Sequence, residues 1–128
     1  MALAAEPVFA LDRFAALSLI ESGDRDQAVG PVGEISRYQM APAVWRQYST
    51  LPVGAATNPF TARTVAKAIM HDRMTMGTRG WAVTIPDANV VVSHEQFYLL
   101  WHCPARAFHP TRADQEIAAR FANLCNTK

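Results

Sequence analysis

The stretch from Leu11 to Ser22 constrains this chain more than any other. Ala15, Ala16, Leu17, Leu19 and Ile20 join Leu11 and Phe14 at helical spacings, so the segment is apolar almost all the way round. Such a helix is expected to be buried and central to the fold, and Gly23 is well placed to end it. One ionisable group, Glu21, falls in its last turn. A carboxylate there meets apolar surroundings and the unfavourable end of the helix dipole, and both push its pKa upward.

The rest of the chain is sufficient to enclose that helix. It has 128 residues, 50% hydrophobic and 18% charged, which suits one compact domain with its own core. We expect an N-terminal extension over residues 1–10 and a single domain over residues 11–125. Twelve Lys+Arg against eleven Asp+Glu leave a formal charge of +1, which disfavours wrapping nucleic acid by bulk charge. No run approaches the roughly 20 apolar residues of a membrane span. The opening Met1-Ala2-Leu3-Ala4-Ala5-Glu6-Pro7 has neither the basic nor the apolar region of an intact signal peptide. Cys103 and Cys125 are open to two readings, a single bridge in an exported protein or two half-buried free thiols. No Cys or His pair stands at zinc-finger spacing, and we expect no metal and no cofactor.

Local signals divide the chain into helices around one irregular segment. Asp24-Arg25-Asp26, Gly30-Pro31 and Gly33 are turn chemistry, with short alternating pieces between them, and predict a small β-hairpin or loop after the first helix. Pro42 opens a helix in which Val44, Trp45 and Tyr48 share a face. Asn58-Pro59 opens another, expected to run to about Met76 and close at Gly77. Trp81-Ala82-Val83 and Val90-Val91-Val92 read as two short strands or a packed loop. Ser93 and Gln96 form a capping box for a helix carrying Phe97, Leu100 and Trp101, which stops before Pro104. Thr111 with Asp114 opens the last helix, with Ile117, Phe121 and Leu124 on one face. The fold class is mainly α.

The chemistry concentrates at Glu21 and the turn-rich segment after it. A glycosidase needs one carboxylic acid held protonated near neutral pH, and an apolar helix end facing a cleft makes such an acid. The following hairpin would form the opposite wall and bring Tyr38 and Gln39 toward a sugar. Taken alone, a Glu at the end of a buried helix is more often a structural residue paired with a cation, for which Arg120 is a candidate here.

Glu21-Ser22-Gly23, a short loop, Gly33-Glu34-Ile35-Ser36-Arg37-Tyr38-Gln39-Met40 and the helix of Ala41-Pro42-Ala43-Val44-Trp45 together resemble the lysozyme-like lytic transglycosylases. Asn58-Pro59 with its long helix, the apolar helix Phe97-Tyr98-Leu99-Leu100-Trp101-His102, and Ala118 to Leu124 are similar to that family's later elements in order. The resemblance implies a lysozyme-like α+β fold with the catalytic acid at Glu21. Ser22 would match a serine that holds the substrate's N-acetyl group or the catalytic centre, and Tyr38 and Gln39 would line the cleft. The implied reaction cleaves the β-1,4 bond between N-acetylmuramic acid and N-acetylglucosamine in peptidoglycan or a related acetamido-sugar polymer. In the lytic members the substrate's own acetamido group assists and a 1,6-anhydro product forms. Such a substrate implies a periplasmic or secreted protein.

One motif departs from the family pattern. Trp101 is followed by His102-Cys103-Pro104 where the family carries Asn and Gly. Trp101 and His102 then become the candidates for sugar contact at that position, and the change equally suits a non-catalytic glycan-binding or assembly protein that keeps the fold. A hydrolytic enzyme is a further alternative, with Glu34 positioning water and Asp24 and Asp26 behind it. Glu34 has a plainer reading as the partner of Arg37 or Arg25. Trp45 and Trp81 offer stacking surfaces, though Trp45 lies on an apolar helix face that suits the core.

Overall fold

The computed structural model describes residues 10–80 and 92–126. The chain is mainly helical, with α1 at Arg13–Ser22, α2 at Pro42–Tyr48, α3 at Pro59–Gly80, α4 at His94–His102 and α5 at Arg112–Asn126. Single 3-10 turns at Val53–Thr57 and Pro104–Arg106 join α2 to α3 and lead from α4 toward α5. No described helix is long and apolar enough to cross a membrane. The N-terminal extension as far as residue 9 and the strand-or-loop expectation for residues 81–91, Trp81 included, lie outside the described residues.

Capping chemistry sets most helix boundaries. Asp12 accepts the Ala15 N–H at 2.9 Å and starts α1, and Gly23 ends it at φ 65° with its N–H on Leu19 O. Asn58 Oδ1 accepts the N–H groups of Phe60 and Thr61 at the start of α3. Ser93 and Gln96 complete the expected capping box of α4, and Thr111 and Asp114 exchange reciprocal bonds at the start of α5. Helix α3 departs from expectation by running through Gly77 to Gly80. A glycine inside a helix costs only about 1 kcal/mol, less than the bonds that carry the helix onward.

The centre of the core is α4, not α1. Phe97, Tyr98, Leu99, Leu100 and Trp101 are all buried, and α4 packs between α3 and α5. The first helix buries Ala16, Leu17 and Ser18 but leaves Leu19 40% exposed, so its apolar circumference exceeds its buried face. Phe97 stacks on Phe121, and Phe14 meets Phe97 and Tyr38 edge-on. Trp45 is fully buried in the core, with its indole N–H on Leu51 O. Cys103 and Cys125 are buried free thiols.

Between α1 and α2 the chain forms two isolated antiparallel bridges, Val29 to Ile35 and Ile35 to Met40, and no extended strand among the described residues. Five residues with positive φ stand in or before this segment: Gly23, Asp24, Gly33, Ser36 and Gln39. The non-glycine members are strained, and local bonds hold all three, Gln39 through its own N–H and amide on Ser36 O. Asp24 accepts the Ser18 hydroxyl at 2.6 Å, and Ser36 Oγ accepts the Tyr38 N–H at 3.1 Å.

Candidate active site

Glu21 reaches from the end of α1 toward α4. Its side chain is 15% exposed, and Oε1 accepts the Tyr98 hydroxyl at 3.0 Å. His102 Nδ1 stands 3.9 Å from the same oxygen. Tyr98 and His102 are one turn apart on α4, and their rings stack at 5.3 Å. Among the described residues, no Lys or Arg forms an ion pair with Glu21, so Arg120 is not the partner considered above.

This environment brings the titration of Glu21 close to neutral pH. Burial raises its pKa to about 7, the Tyr98 hydrogen bond opposes the rise, and the charge of Glu34 adds to it. Burial and the neighbouring Glu21 push the Tyr98 hydroxyl far upward, so Tyr98 remains a donor. With Oε1 engaged by Tyr98, Oε2 is left to carry the exchangeable proton.

The segment between α1 and α2 builds the opposite wall. Glu34 Oε1 accepts the Val32 N–H at 3.2 Å, and Gln39 Nε2 donates to Ala28 O and Ser36 O. Both side chains close over Gly30, whose N–H donates to Glu34 O at 2.8 Å. A Cβ at Gly30 would run into Glu34 Oε2 and Gln39 Oε1, so any side chain there must displace one of them. Arg37 pairs with Asp26 at 2.6 Å, and Arg25 Nε donates to Ser22 O, so neither neutralises Glu34.

A groove of about 340 Å³ lies between these walls, lined by Glu21, Pro31, Glu34, Gln39, Trp101 and His102. The structure therefore brings together five of the residues singled out from the sequence. Ser22 and Tyr38 are placed elsewhere. The Ser22 hydroxyl donates to Ser18 O and accepts the Arg25 N–H, inside the turn that ends α1. Tyr38 is 2% exposed between Phe14 and Trp101, and only its carbonyl reaches toward the site, accepting the Trp101 indole N–H at 3.2 Å. Its neighbour Gln39 has φ 56°, and that left-handed turn sends the two side chains to different sides.

Tyr98 is the site residue that sequence reasoning missed. Its signal is the spacing to His102, four residues that put both polar tips on one edge of an otherwise apolar helix. Among the described residues, no group of three or more His, Cys, Asp or Glu side chains is arranged to hold a metal ion. What remains is a carboxyl that exchanges its proton near neutral pH, sharing an open groove with a second acidic side chain, an aromatic ring and an imidazole. No family model, no curated protein and no solved structure matches the chain, so the chemistry of this groove carries the functional argument.

Proposed function

We propose that this protein is a peptidoglycan-cleaving glycosidase of the lytic transglycosylase type, acting on the β-1,4 bond between N-acetylmuramic acid and N-acetylglucosamine. The observation that carries the reading is Glu21, a largely buried carboxyl raised to about 7 that opens onto the groove. In this reaction Glu21 gives its proton to the bridging oxygen as the bond breaks. The substrate's acetamido group stabilises the sugar cation, and the Glu21 carboxylate then takes the proton of the C6 hydroxyl as that oxygen closes the 1,6-anhydro ring. No water is consumed. The bridges at Val29, Ile35 and Met40 are compatible with a lysozyme-like α+β arrangement, and a wall substrate places the protein in the periplasm or outside the cell.

A hydrolytic variant of the same chemistry has its own support, because Glu34 lines the groove and its charge acts on Glu21. There Glu34 would position a water molecule against the sugar cation.

Purified peptidoglycan tests both. The protein is expected to clear a wall suspension, and Glu21→Gln is expected to abolish clearing. Mass spectrometry then separates the mechanisms, since anhydro ends are one water lighter than reducing ends. Wild-type protein that leaves the wall intact, or Glu21→Gln protein that still clears it, refutes the assignment.

A further inference from the structure

Beside the Glu21 groove lies a second pocket of about 220 Å³. Glu34 and Trp101 stand on the rim the two share, and Arg73 from α3 lines the second alone. Arg73 Nη1 donates to Leu100 O at 3.1 Å and to Trp101 O at 2.9 Å, carbonyls in the last turn of α4. Its guanidinium carbon is 5.6 Å from the centre of the Trp101 ring.

A helix C-cap accounts for part of this arrangement. The end of a helix supplies about half a negative charge, which leaves much of the guanidinium charge unmet. Among the described residues, no carboxylate forms an ion pair with Arg73. Nη1 also uses only two of the guanidinium's five N–H donors, and Nε and Nη2 donate to none of the described residues. No buried side-chain nitrogen or oxygen of the described residues lacks a partner, so these donors keep some exposure, and Arg73 lines the open pocket. Val44, Ile69 and Pro104 make the adjoining wall apolar. A guanidinium edge beside a small apolar wall is complementary to a carboxylate on a short aliphatic arm.

We infer that this pocket is a carboxylate subsite, in which Arg73 binds the acidic side arm of a glycan lying in the adjoining groove. The inference rests on the glycosidase reading of Glu21 and deepens it: the enzyme selects acidic acetamido glycans over neutral, chitin-like ones. Glu34 on the shared rim repels the same carboxylate, which leaves the Arg73 side of the pocket as its place.

Calorimetry on Glu21→Gln protein, which binds without turnover, tests this with three sugars. One is chitotetraose, one an alternating tetrasaccharide of N-acetylglucosamine and N-acetylmuramic acid with free lactyl carboxylates, and one that tetrasaccharide carrying stem peptides. An acidic sugar is expected to bind about tenfold more tightly than chitotetraose at low salt, with the gap narrowing as salt rises. Tight binding of the lactyl form locates the carboxylate on the sugar, and tight binding of the peptide form alone locates it on the stem; either supports the subsite. Adding Arg73→Gln is expected to erase the preference while chitotetraose binds as before. Since Arg73 also caps α4, Glu34→Gln provides a second variant that leaves those bonds untouched, and it is expected to widen the preference. Equal binding of all three sugars, with a ratio that neither substitution moves, overturns the subsite and leaves the glycosidase reading standing. Binding of none of them overturns both.

Discussion

Two carboxylates at helix ends reach opposite states in this molecule. Glu21 closes α1 and Asp114 opens α5, with side chains 15% and 5% exposed. The more enclosed of the two is the one held ionised. Arg106 donates to Asp114 twice, at 2.7 and 2.9 Å, and the Thr111 N–H adds a third bond at 3.0 Å. Those donors, Arg106 foremost, hold the carboxyl well below the usual aspartate range, and the helix N-terminus favours the same charge. Glu21 has one hydroxyl donor and no cation among the described residues, so burial wins and its pKa rises to about 7. Enclosure raises both carboxyls, and the donors aimed at the oxygens decide whether it wins. Asp114 consequently fastens the Pro104–Arg106 turn to α5, while Glu21 can trade a proton at neutral pH.

The largest effect is expected from removing the proton that distinguishes Glu21. Glu21→Gln should lower glycan cleavage by about 10²–10⁴-fold, the usual worth of a general acid. It should also stabilise the fold at alkaline pH. A carboxyl whose folded pKa lies above its unfolded value contributes stability that is complete below pH 4.5 and is lost as pH rises through about 7. The rise from 4.5 to about 7 caps the loss at about 3 kcal/mol, which Gln would not suffer. Urea melts at pH 5 and pH 8 check the sign: the two proteins should converge at the lower pH and separate at the higher, with the variant more stable.

Asp114→Asn probes the other member of the pair, and its sign is reversed. A depressed carboxyl contributes stability above its unfolded value of 3.8, and loses it as pH falls through the folded pKa. The substitution should therefore lower the thermal midpoint at pH 7, with cleavage per folded molecule unaffected. The deficit should shrink steadily as pH is taken below 3.8. A deficit that stays constant with pH would mean that shape, not charge, holds the Arg106 contact.

These two residues also mark how much is legible in the sequence. Asn58, Ser93 with Gln96, and Thr111 with Asp114 announce their helices because each side chain bonds backbone three residues away. Glu21 is legible for a similarly local reason, as the ionisable group in the last turn of an apolar helix. Tyr98 is not, because its partner is 77 residues distant and its own helix reads as core. The placement of Tyr38 was equally hidden, since it depends on a left-handed backbone at Gln39 that residue type does not announce. Leu19 shows the converse: apolarity marks which residues can be buried, and only packing settles which are.

Tyr98→Phe tests the donor argument within the site. The hydroxyl stabilises the charged form of Glu21, so its loss leaves burial less opposed and raises the pKa further. Activity that needs the protonated acid should then persist to higher pH, with the alkaline limb moved up by about one pH unit. A limb that stays in place or moves down would show that Tyr98 positions Glu21 without affecting its proton.

Gly30→Ala should move that limb the other way, and by less. Its Cβ would collide with Glu34 and Gln39 together, and one of them has to yield. Gln39 is tied to Ala28 O and Ser36 O by its amide, whereas Glu34 holds only the exposed Val32 N–H. Glu34 is therefore the group that swings outward. Its charge is one of the causes that raise Glu21, so moving it away should lower the Glu21 pKa by a few tenths of a pH unit across a solvent-filled groove. The fold should be almost untouched, because both clashing atoms are side-chain ends at the groove surface. An alkaline limb displaced slightly downward in Gly30→Ala and upward in Tyr98→Phe would place Glu21 between one group that favours its charge and one that opposes it. Displacement in the same direction in both variants would mean that the loop acts on Glu21 by changing its burial, and the electrostatic role assigned to Glu34 would fall.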